Sequence, residues 1–353
     1  MSEFSEGSGR DPGIVIYLGN AVSELRWLYR KALTDIVTID IVKKLATKLG
    51  IEVLVNGHGI IGATASIGAL IDEDCTYELL AYRDPRNYFK RRVIDPNSVI
   101  RLDRELRHTF NNYDYEVGKV LITPGGFDPV LFGVRGDDPE ELLRAIEIIK
   151  CGEEVRGWVI FRTNQGTNAH LVRRSISSLR PYMTALIRGK VVKAPKVVKG
   201  GEVFIHVNDG TGTLRVCFFK ELGRVNQVAR RLIIGDEVVV GGSVKLWDDG
   251  ILTLHAELLE VVKVGELVIF KNPKCPRCGA TLKSSGKGKG FKCVKCGFRS
   301  KELSKVPRLV KRDLKPGIYV PPPRAQKHLQ KPLKRYGKEK VCSYVRPIPN
   351  FIR

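Results

Sequence analysis

Cys275-Pro-Arg-Cys-Gly-Ala-Thr-Leu-Lys-Ser-Ser-Gly-Lys-Gly-Lys-Gly-Phe-Lys-Cys-Val-Lys-Cys296 is the stretch on which the reading of this chain turns. Two Cys-x-x-Cys turns stand fourteen residues apart, and each is followed by a glycine, Gly279 or Gly297. One such turn aims two thiolates at a point, and two of them complete a tetrahedral sulfur set for zinc. A residue without Cβ after each pair lets backbone amides turn toward the sulfurs. Between the pairs, Thr281–Lys292 reads as a strand, a flexible basic tip and a second strand. The competing reading, two disulfides or redox dithiols, does not account for two matched pairs with the same following glycine. Cys275, Cys278, Cys293 and Cys296 are therefore the expected ligands of a structural zinc. Four protein ligands leave no open position, and so small a ribbon needs its metal to fold. The other four cysteines, Cys75, Cys151, Cys217 and Cys342, are solitary and read as small buried hydrophobes.

The charge lies around that ribbon. The chain has 353 residues and a net charge of +22. Residues 271–301 hold ten Lys/Arg and no acid, and residues 302–353 hold fourteen against three acids, which leaves 1–270 close to neutral. A neutral body with a strongly basic end suits a partner made of phosphates, because cations on one module release counterions from a polyanion. Lys274, Arg277, Lys283, Lys287, Lys289, Lys292 and Lys295 are the ribbon's candidate contacts. After the ribbon, Pro321-Pro-Pro323, Pro332, Pro347 and Pro349 lie among many cations, and this predicts an extended tail following phosphates. No apolar run reaches the length of a membrane span, and Met1–Asp11 is polar and acidic, unlike a signal segment. The expected compartment is the reducing cytoplasm.

Before the ribbon, residues 182–264 alternate as five strands: Tyr182–Lys193, Glu202–Asn208, Thr213–Lys220, Asp236–Leu246 and Ile251–Val262. A helical stretch, Glu221–Leu232, separates the third from the fourth. Three strands, a helix and two strands predict an OB-fold barrel. Alternation on the second and third strands sends Val203, Ile205, Val207, Leu214, Val216 and Phe218 inward. The opposite face then carries Phe204, His206, Arg215 and Phe219, aromatics interleaved with a cation, as in stacking platforms for unpaired bases. Packing against a neighbouring domain is the other reading of that face.

Residues 13–180 mix helices and strands: strands at Gly13–Leu18, Ile51–Val55, Thr76–Tyr82, Lys119–Ile122 and Trp158–Phe161, and helices at Ala21–Leu33, Ile39–Leu49, Ile60–Leu70 and Pro139–Ile149. Such a mixture suits a ferredoxin-like domain. The small residues Gly62, Ala63, Ala65, Ser66, Gly68 and Ala69 let a helix approach a sheet closely. A second reading has Gly57, His58 and Gly59 hold an anion at that helix N-terminus. The polar cluster Arg162, Thr163, Asn164, Gln165 and His170, just after an apolar strand, is the expected substrate-side group, against a merely structural turn. Asp72, Glu73 and Asp74 read as a solvated turn, with a role toward a cationic substrate as the alternative.

Five segments occur in a telling order: Asn56-Gly-His-Gly-Ile-Ile-Gly-Ala63, Thr76-Tyr-Glu-Leu-Leu-Ala-Tyr-Arg83, Thr109-Phe-Asn-Asn112, Asp128-Pro-Val-Leu-Phe-Gly-Val-Arg-Gly136 and Phe161-Arg-Thr-Asn-Gln-Gly-Thr167. Over roughly residues 12–320 the chain resembles the archaeal tRNA(Ile) 2-agmatinylcytidine synthetase family. The resemblance implies a multidomain α/β and β protein: a truncated kinase-like α/β portion, a ferredoxin-like domain, an OB-fold barrel and a zinc ribbon. The expected limits are 1–55, 56–180, 181–264 and 265–301, followed by the basic Pro-rich tail 302–353. It implies ATP-dependent transfer of agmatine to the wobble cytidine of a tRNA(Ile) with a CAU anticodon, with ATP and magnesium as cofactors.

The family's aspartate-rich opening, Gly-Ile-Asp-Asp-Thr-Asp-Ser, does not occur in this sequence, so the ligands of ATP and magnesium are not assigned. The expectation is that a late-called gene start or a separate polypeptide supplies that segment, with loss of catalysis as the remaining alternative. Gly125-Gly-Phe127 and Asn168-Ala169 also depart from the family's pattern. The competing functions are a non-catalytic tRNA-binding subunit of a split synthetase and an OB-fold and zinc-ribbon protein that binds single-stranded DNA.

Overall fold

In the computed structural model the described residues are 11–69, 71 and 73–341. Asp72, Cys342, Pro347 and Pro349 lie outside them. Among the described residues no helix is long and apolar enough to cross a membrane.

The first unit pairs the strands Gly13–Ile16 and Glu52–Asn56 antiparallel. Helices Ser23–Thr34, Ile39–Leu49 and Ile60–Ile67 pack on them around Leu28, Val42 and Ile60. Gly50 ends the second helix in the left-handed region at φ +67, where a side chain would be strained. The small face of the third helix is a contact surface, because a Cβ on Gly68 would lie 2.0 Å from the Leu25 carbonyl oxygen.

The second unit is a four-stranded antiparallel sheet in the order Thr109–Phe110, Val130–Gly136, Thr76–Tyr82, Gly157–Thr163. Helix Pro96–Glu105 follows the Thr76 strand and helix Pro139–Ile148 follows the Val130 strand. This β-α-β-β-α-β order, with the outer strands second and last in sequence, is the ferredoxin-like arrangement. Both helices begin at an Asp-Pro pair. Asp95 accepts from the Asn97 amide at 3.0 Å and Asp138 from the Glu140 amide at 3.0 Å, while proline at the first position has no amide to orphan. Leu79, Ala81, Leu102, Leu131, Phe132, Val134 and Leu142 form the core under the helices.

The third unit is the expected barrel. Strands Thr184–Val197, Val203–Asn208, Thr213–Phe218, Glu237–Leu246 and Leu252–Lys263 pair 1-2, 2-3, 1-4 and 4-5, all antiparallel. The parallel pairing of the third with the fifth, Val216 opposite Leu254, closes the cylinder. All six residues assigned inward are 2% exposed or less. Helix Arg224–Ala229 plugs one end with Val225, Val228 and Ala229.

A two-stranded stalk, Leu267–Lys271 paired with Val306–Val310, carries the ribbon away from the barrel. The stretch beyond it overturns the expectation of an extended tail following phosphates. Gly317–Tyr319 adds a sixth strand beside Leu259–Val261, and residues 323–340 then cross to the ferredoxin-like unit. The reason is that this segment's cations have carboxylate partners within the protein itself. Arg312 forks onto the fully buried Asp236, with its Nη2 2.7 Å from Oδ2, and Arg324 reaches Asp114 at 2.7 Å and Glu116 at 2.9 Å. A buried charge is tolerated only when paired and hydrogen-bonded, so these contacts fix the path of the chain.

Candidate functional site

Two knuckles of the same geometry build the metal site. The Gly279 amide donates to the Cys275 carbonyl at 2.9 Å and the Gly297 amide to the Cys293 carbonyl at 3.1 Å, with both glycines at positive φ, +70 and +75. The Cys275 amide donates to Ala280 and the Cys293 amide to Phe298, each at 2.7 Å. The four sulfurs lie within 4.8 Å of one another, and Cys275 to Cys296 and Cys278 to Cys293 are each 3.5 Å apart. Four thiolates about 2.3 Å from one ion stand about 3.8 Å apart, whereas a disulfide needs about 2.05 Å. The donor set therefore fits one zinc and not two disulfides, and all four are free thiols. The Cys296 and Lys295 amides, pointed at the Cys293 sulfur, lower that thiol toward the thiolate a metal requires. Leu282 and Phe291 are buried behind the site with Phe298 against them, a core too small to fold alone.

The ribbon's outer surface is cationic throughout. All ten of its lysines and arginines, including Lys274, Arg277, Lys283, Lys287, Lys289, Lys292 and Lys295, are exposed. Lys283 and Lys292 face each other across the short hairpin, and Arg277 lies over the Phe298 ring at 5.3 Å.

The barrel's outer face is richer than its second and third strands alone suggest. Phe204 meets Trp247 edge-on at 5.2 Å, Phe219 stacks toward Trp247 at 6.1 Å, and His255 stands edge-on to both Phe219 and Trp247 at 5.1 and 5.5 Å. Trp247 and His255 come from the end of the fourth strand and from the fifth, which alternation on two strands could not reach. Alternation carried through the Asp248-Asp249-Gly250 turn would have found both. Arg215 is not a free cation. It is clamped by Asp249 through two bonds of 2.6 and 2.8 Å and lies over Phe204 at 5.5 Å and Trp247 at 5.8 Å. Burial, then Lys193 and Arg215, holds His206 below its ordinary pKa; burial, then Lys245 and Lys327, does the same to His255. Both rings stay neutral at neutral pH, which leaves an aromatic platform with one pinned guanidinium.

The polar cluster after the Gly157–Thr163 strand divides by position. Arg162 points outward and is exposed. Thr163 shares a 2.9 Å bond with Thr76, and Gln165 donates to Glu78 at 2.5 Å, so both are tied to the sheet. Asn164 donates to the Tyr29 hydroxyl at 2.6 Å and lines a cavity of about 400 Å³ with Arg30, Glu73, Asn168 and Arg173. His170 is buried and bonds Glu257 at 2.8 Å, with Lys327 on the other carboxylate oxygen. Burial opposes the ionisation of Glu257, but bonds from His170 and Lys327 hold it below its ordinary pKa. Glu257 stands two residues beyond His255 on the same strand, so the end of this loop sits about 7 Å along from the aromatic platform.

Three expectations are corrected. The amides of Gly57, His58 and Gly59 do not await an anion: they donate to the Pro12 carbonyl, the Asp11 carboxylate and the Asp11 carbonyl at 3.1, 2.8 and 2.8 Å. A Cβ on Gly57 or Gly59 would lie within 2.5 Å of residues 11–13, so the glycines serve close chain approach. Asp74 is no solvated turn residue, because Lys331 at 3.0 Å and Arg335 at 2.9 Å pair with it. Cys75 is disulfide-bonded rather than a lone thiol. Cys151 and Cys217 fit the expected inert role, pushed up by burial to about 11 and about 12.

An OB barrel with an aromatic outer face, a cationic zinc ribbon and a ferredoxin-like unit define a multidomain nucleic-acid-binding protein. Residues 57–170 match the family described as TiaS FLD domain, 272–314 the TiaS C-terminal zinc ribbon domain, and 185–262 the OB-fold nucleic acid binding domain. The chain is 44% identical to the tRNA(Ile) 2-agmatinylcytidine synthetase TiaS of Ignisphaera aggregans over 340 residues, 94% of this chain and 73% of that protein. With the same enzyme of Thermofilum pendens it shares 40% identity, covering 94% and 76%. A crystal structure of a complex of TiaS with tRNA(Ile) and ATP superposes with a TM-score of 0.78 at 34% identity, covering 88% of this chain and 73% of that one. A complex of TiaS with tRNA(Ile), AMPCPP and agmatine gives 0.75 at 33%, with the same coverage. The chain belongs to the tRNA(Ile) 2-agmatinylcytidine synthetase (TiaS) family.

Proposed function

We propose that this protein uses ATP to attach agmatine to the wobble cytidine of the tRNA(Ile) that carries a CAU anticodon, changing the codon it reads from AUG to AUA. The observation that carries the reading is the match, over 94% of the chain, to a synthetase of that name, in a fold shared with a TiaS complex holding tRNA(Ile) and ATP. The chemistry is consistent. The C2 carbonyl oxygen of cytidine is a poor leaving group, so it must first take a phosphoryl group from ATP. The primary amine of agmatine then attacks C2, loses a proton, and the oxygen departs with phosphate. Magnesium brought with ATP would offset the negative charge on the phosphate.

In this division of labour the ribbon's lysines neutralise tRNA phosphates, and unpaired bases stack on Phe204, Phe219 and Trp247. Arg162 and Asn164 face the substrates, while Thr163, Gln165 and His170 hold the loop that carries them. The chain divides functionally into a first unit that runs through helix Ile60–Ile67, a ferredoxin-like unit from Thr76 to 180, a barrel at 181–264 and a ribbon at 265–301, with the final segment returning to the second unit. The protein works in the cytoplasm, where tRNA and ATP are available.

Incubating the full chain with ATP, labelled agmatine and a tRNA(Ile) transcript with a CAU anticodon tests this directly. Label is expected on the wobble cytidine, dependent on ATP, and absent from a transcript with uridine at that position. Tight tRNA binding without any label transfer would leave a binding subunit, and preferential capture of single-stranded DNA would remove the tRNA assignment.

A further inference from the structure

We propose that Arg335, in the basic C-terminal segment, is a positioning residue for the loop Asn164–Thr167. The inference rests on the preceding reading of that loop as the substrate-facing one, and adds to it the part that sets the loop's geometry.

Arg335 is 1% exposed, and every N–H of its guanidinium has a protein partner. Nε donates to Asp137 at 2.7 Å. Nη1 donates to the Gly166 carbonyl at 2.5 Å and to Asp74 at 3.3 Å. Nη2 donates to Asp74 at 2.9 Å and to the Cys75 carbonyl at 3.2 Å. One planar fork thus joins three chain segments around residues 74, 137 and 166. A lysine has three donors on a single atom and cannot span the same set.

The loop end of this fork is the informative one. Gly166 sits at φ +69, where a side chain is strained, and a Cβ there would lie 3.0 Å from the Phe110 ring. Its carbonyl goes to Arg335, and its amide donates to the His328 carbonyl at 2.7 Å. Two residues on, the Asn168 amide donates to the Leu329 carbonyl at 2.8 Å. The Asn168 side chain accepts from the Lys331 amide at 2.8 Å and donates to the Tyr336 hydroxyl at 3.0 Å. Residues 328–336 therefore determine both peptide faces of Gly166 and hold Asn168. Asn164, two residues before Gly166, lines the cavity beside Tyr29 together with Thr167 and Asn168. The Thr167 hydroxyl, next after Gly166, donates to the Asn164 carbonyl at 2.6 Å, so rotating the Gly166–Thr167 peptide would release that hold on Asn164. Displacements of about 1 Å in a substrate-positioning group can cost about 100-fold in rate.

A residue that merely supplied charge to Asp74 and Asp137 would be replaced well by lysine; a residue that orients the Gly166 carbonyl would not. The test compares R335K, N164A and the double variant in the full chain, measuring kcat and KM for agmatine and the Kd for the CAU-anticodon tRNA(Ile). R335K is expected to lower kcat about 10-fold or more, with the tRNA Kd changed less than about twofold. The double variant is expected to be no slower than N164A alone, because both changes act on the same group. Unchanged kcat in R335K, or losses that multiply in the double variant, would overturn the proposal while leaving the loop's substrate role standing. Full activity in N164A would remove that role, and the proposal with it. Should R335K fail to fold, D137N serves instead, since it weakens only the Nε arm of the fork that aims Arg335 at the Gly166 carbonyl. A kcat loss of about threefold with normal tRNA affinity is then expected, and no loss overturns the proposal.

Discussion

Two consecutive stretches of this chain are equally basic to the eye and opposite in physical role. Residues 271–301 present ten cations to solvent, and no ion pair among the described residues involves them. Residues 302–341 commit Arg312, Arg324, Lys327, Lys331 and Arg335 to carboxylates of the barrel and the ferredoxin-like unit. The ribbon contains no acidic residue and has too small a core to bury a charge, so its cations find partners only on another molecule. The following segment leaves a barrel edge and crosses a body that has carboxylates to spare. Charge composition is therefore no guide to whether a cation faces a ligand or holds the fold. The availability of acids along the path decides it.

The strongest way to break this comparison is at a buried pair. Asp236 is fully buried, takes both terminal nitrogens of Arg312, and accepts from the Ile233 amide at 2.8 Å and the Gly265 amide at 2.7 Å. D236A leaves the buried Arg312 guanidinium without its counter-charge, held only by the Gly265 and Arg231 carbonyls, and leaves two amides unpaired, so a loss of about 3–5 kcal/mol is expected in chemical denaturation. A loss below about 1 kcal/mol would mean that the segment after the stalk is held by something else.

Removing zinc with a chelator, or C293S, is expected to unfold the ribbon and leave the barrel's far-ultraviolet signal in place. The Kd for tRNA should rise about 100-fold or more at moderate salt as the phosphate contacts are lost. Next in size is W247A. It removes the centre of the aromatic platform from a half-buried position, and about 1–3 kcal/mol of tRNA binding should go with it at little change in stability. Equal loss for a duplex RNA lacking unpaired bases would contradict stacking.

Much of this is legible in the residues, and the failures are instructive. Strand alternation and turn signals locate all five barrel strands, because period-2 patterns bounded by glycine leave few alternatives. Cysteine spacing locates the metal site for a similar reason. Helix Pro96–Glu105 and strand Val130–Gly136 escape the same reading, although Asp95-Pro96 carries the same cap signal as Asp138-Pro139. Without that strand the expected ferredoxin-like sheet is incomplete. Trp247 escapes because it follows its strand into a turn, where alternation is no longer applied. The loop at Gly57–Gly59 misleads for a different reason: a glycine-rich turn before a helix looks the same whether it receives a ligand or the chain's own Asp11. Arg335 cannot be found from local pattern, since its partners lie some 170 to 260 positions away in sequence.

The contrast between the two basic stretches is tested most directly by the salt dependence of tRNA(Ile) binding in two variants. K287Q/K289Q, at the ribbon tip, is expected to reduce the slope of log K against log salt by about 1.5, while K331Q, buried and paired with Asp74 and Glu339, leaves it unchanged. A slope that falls for K331Q and stays fixed for the ribbon double would place the RNA on the wrong stretch and contradict the account.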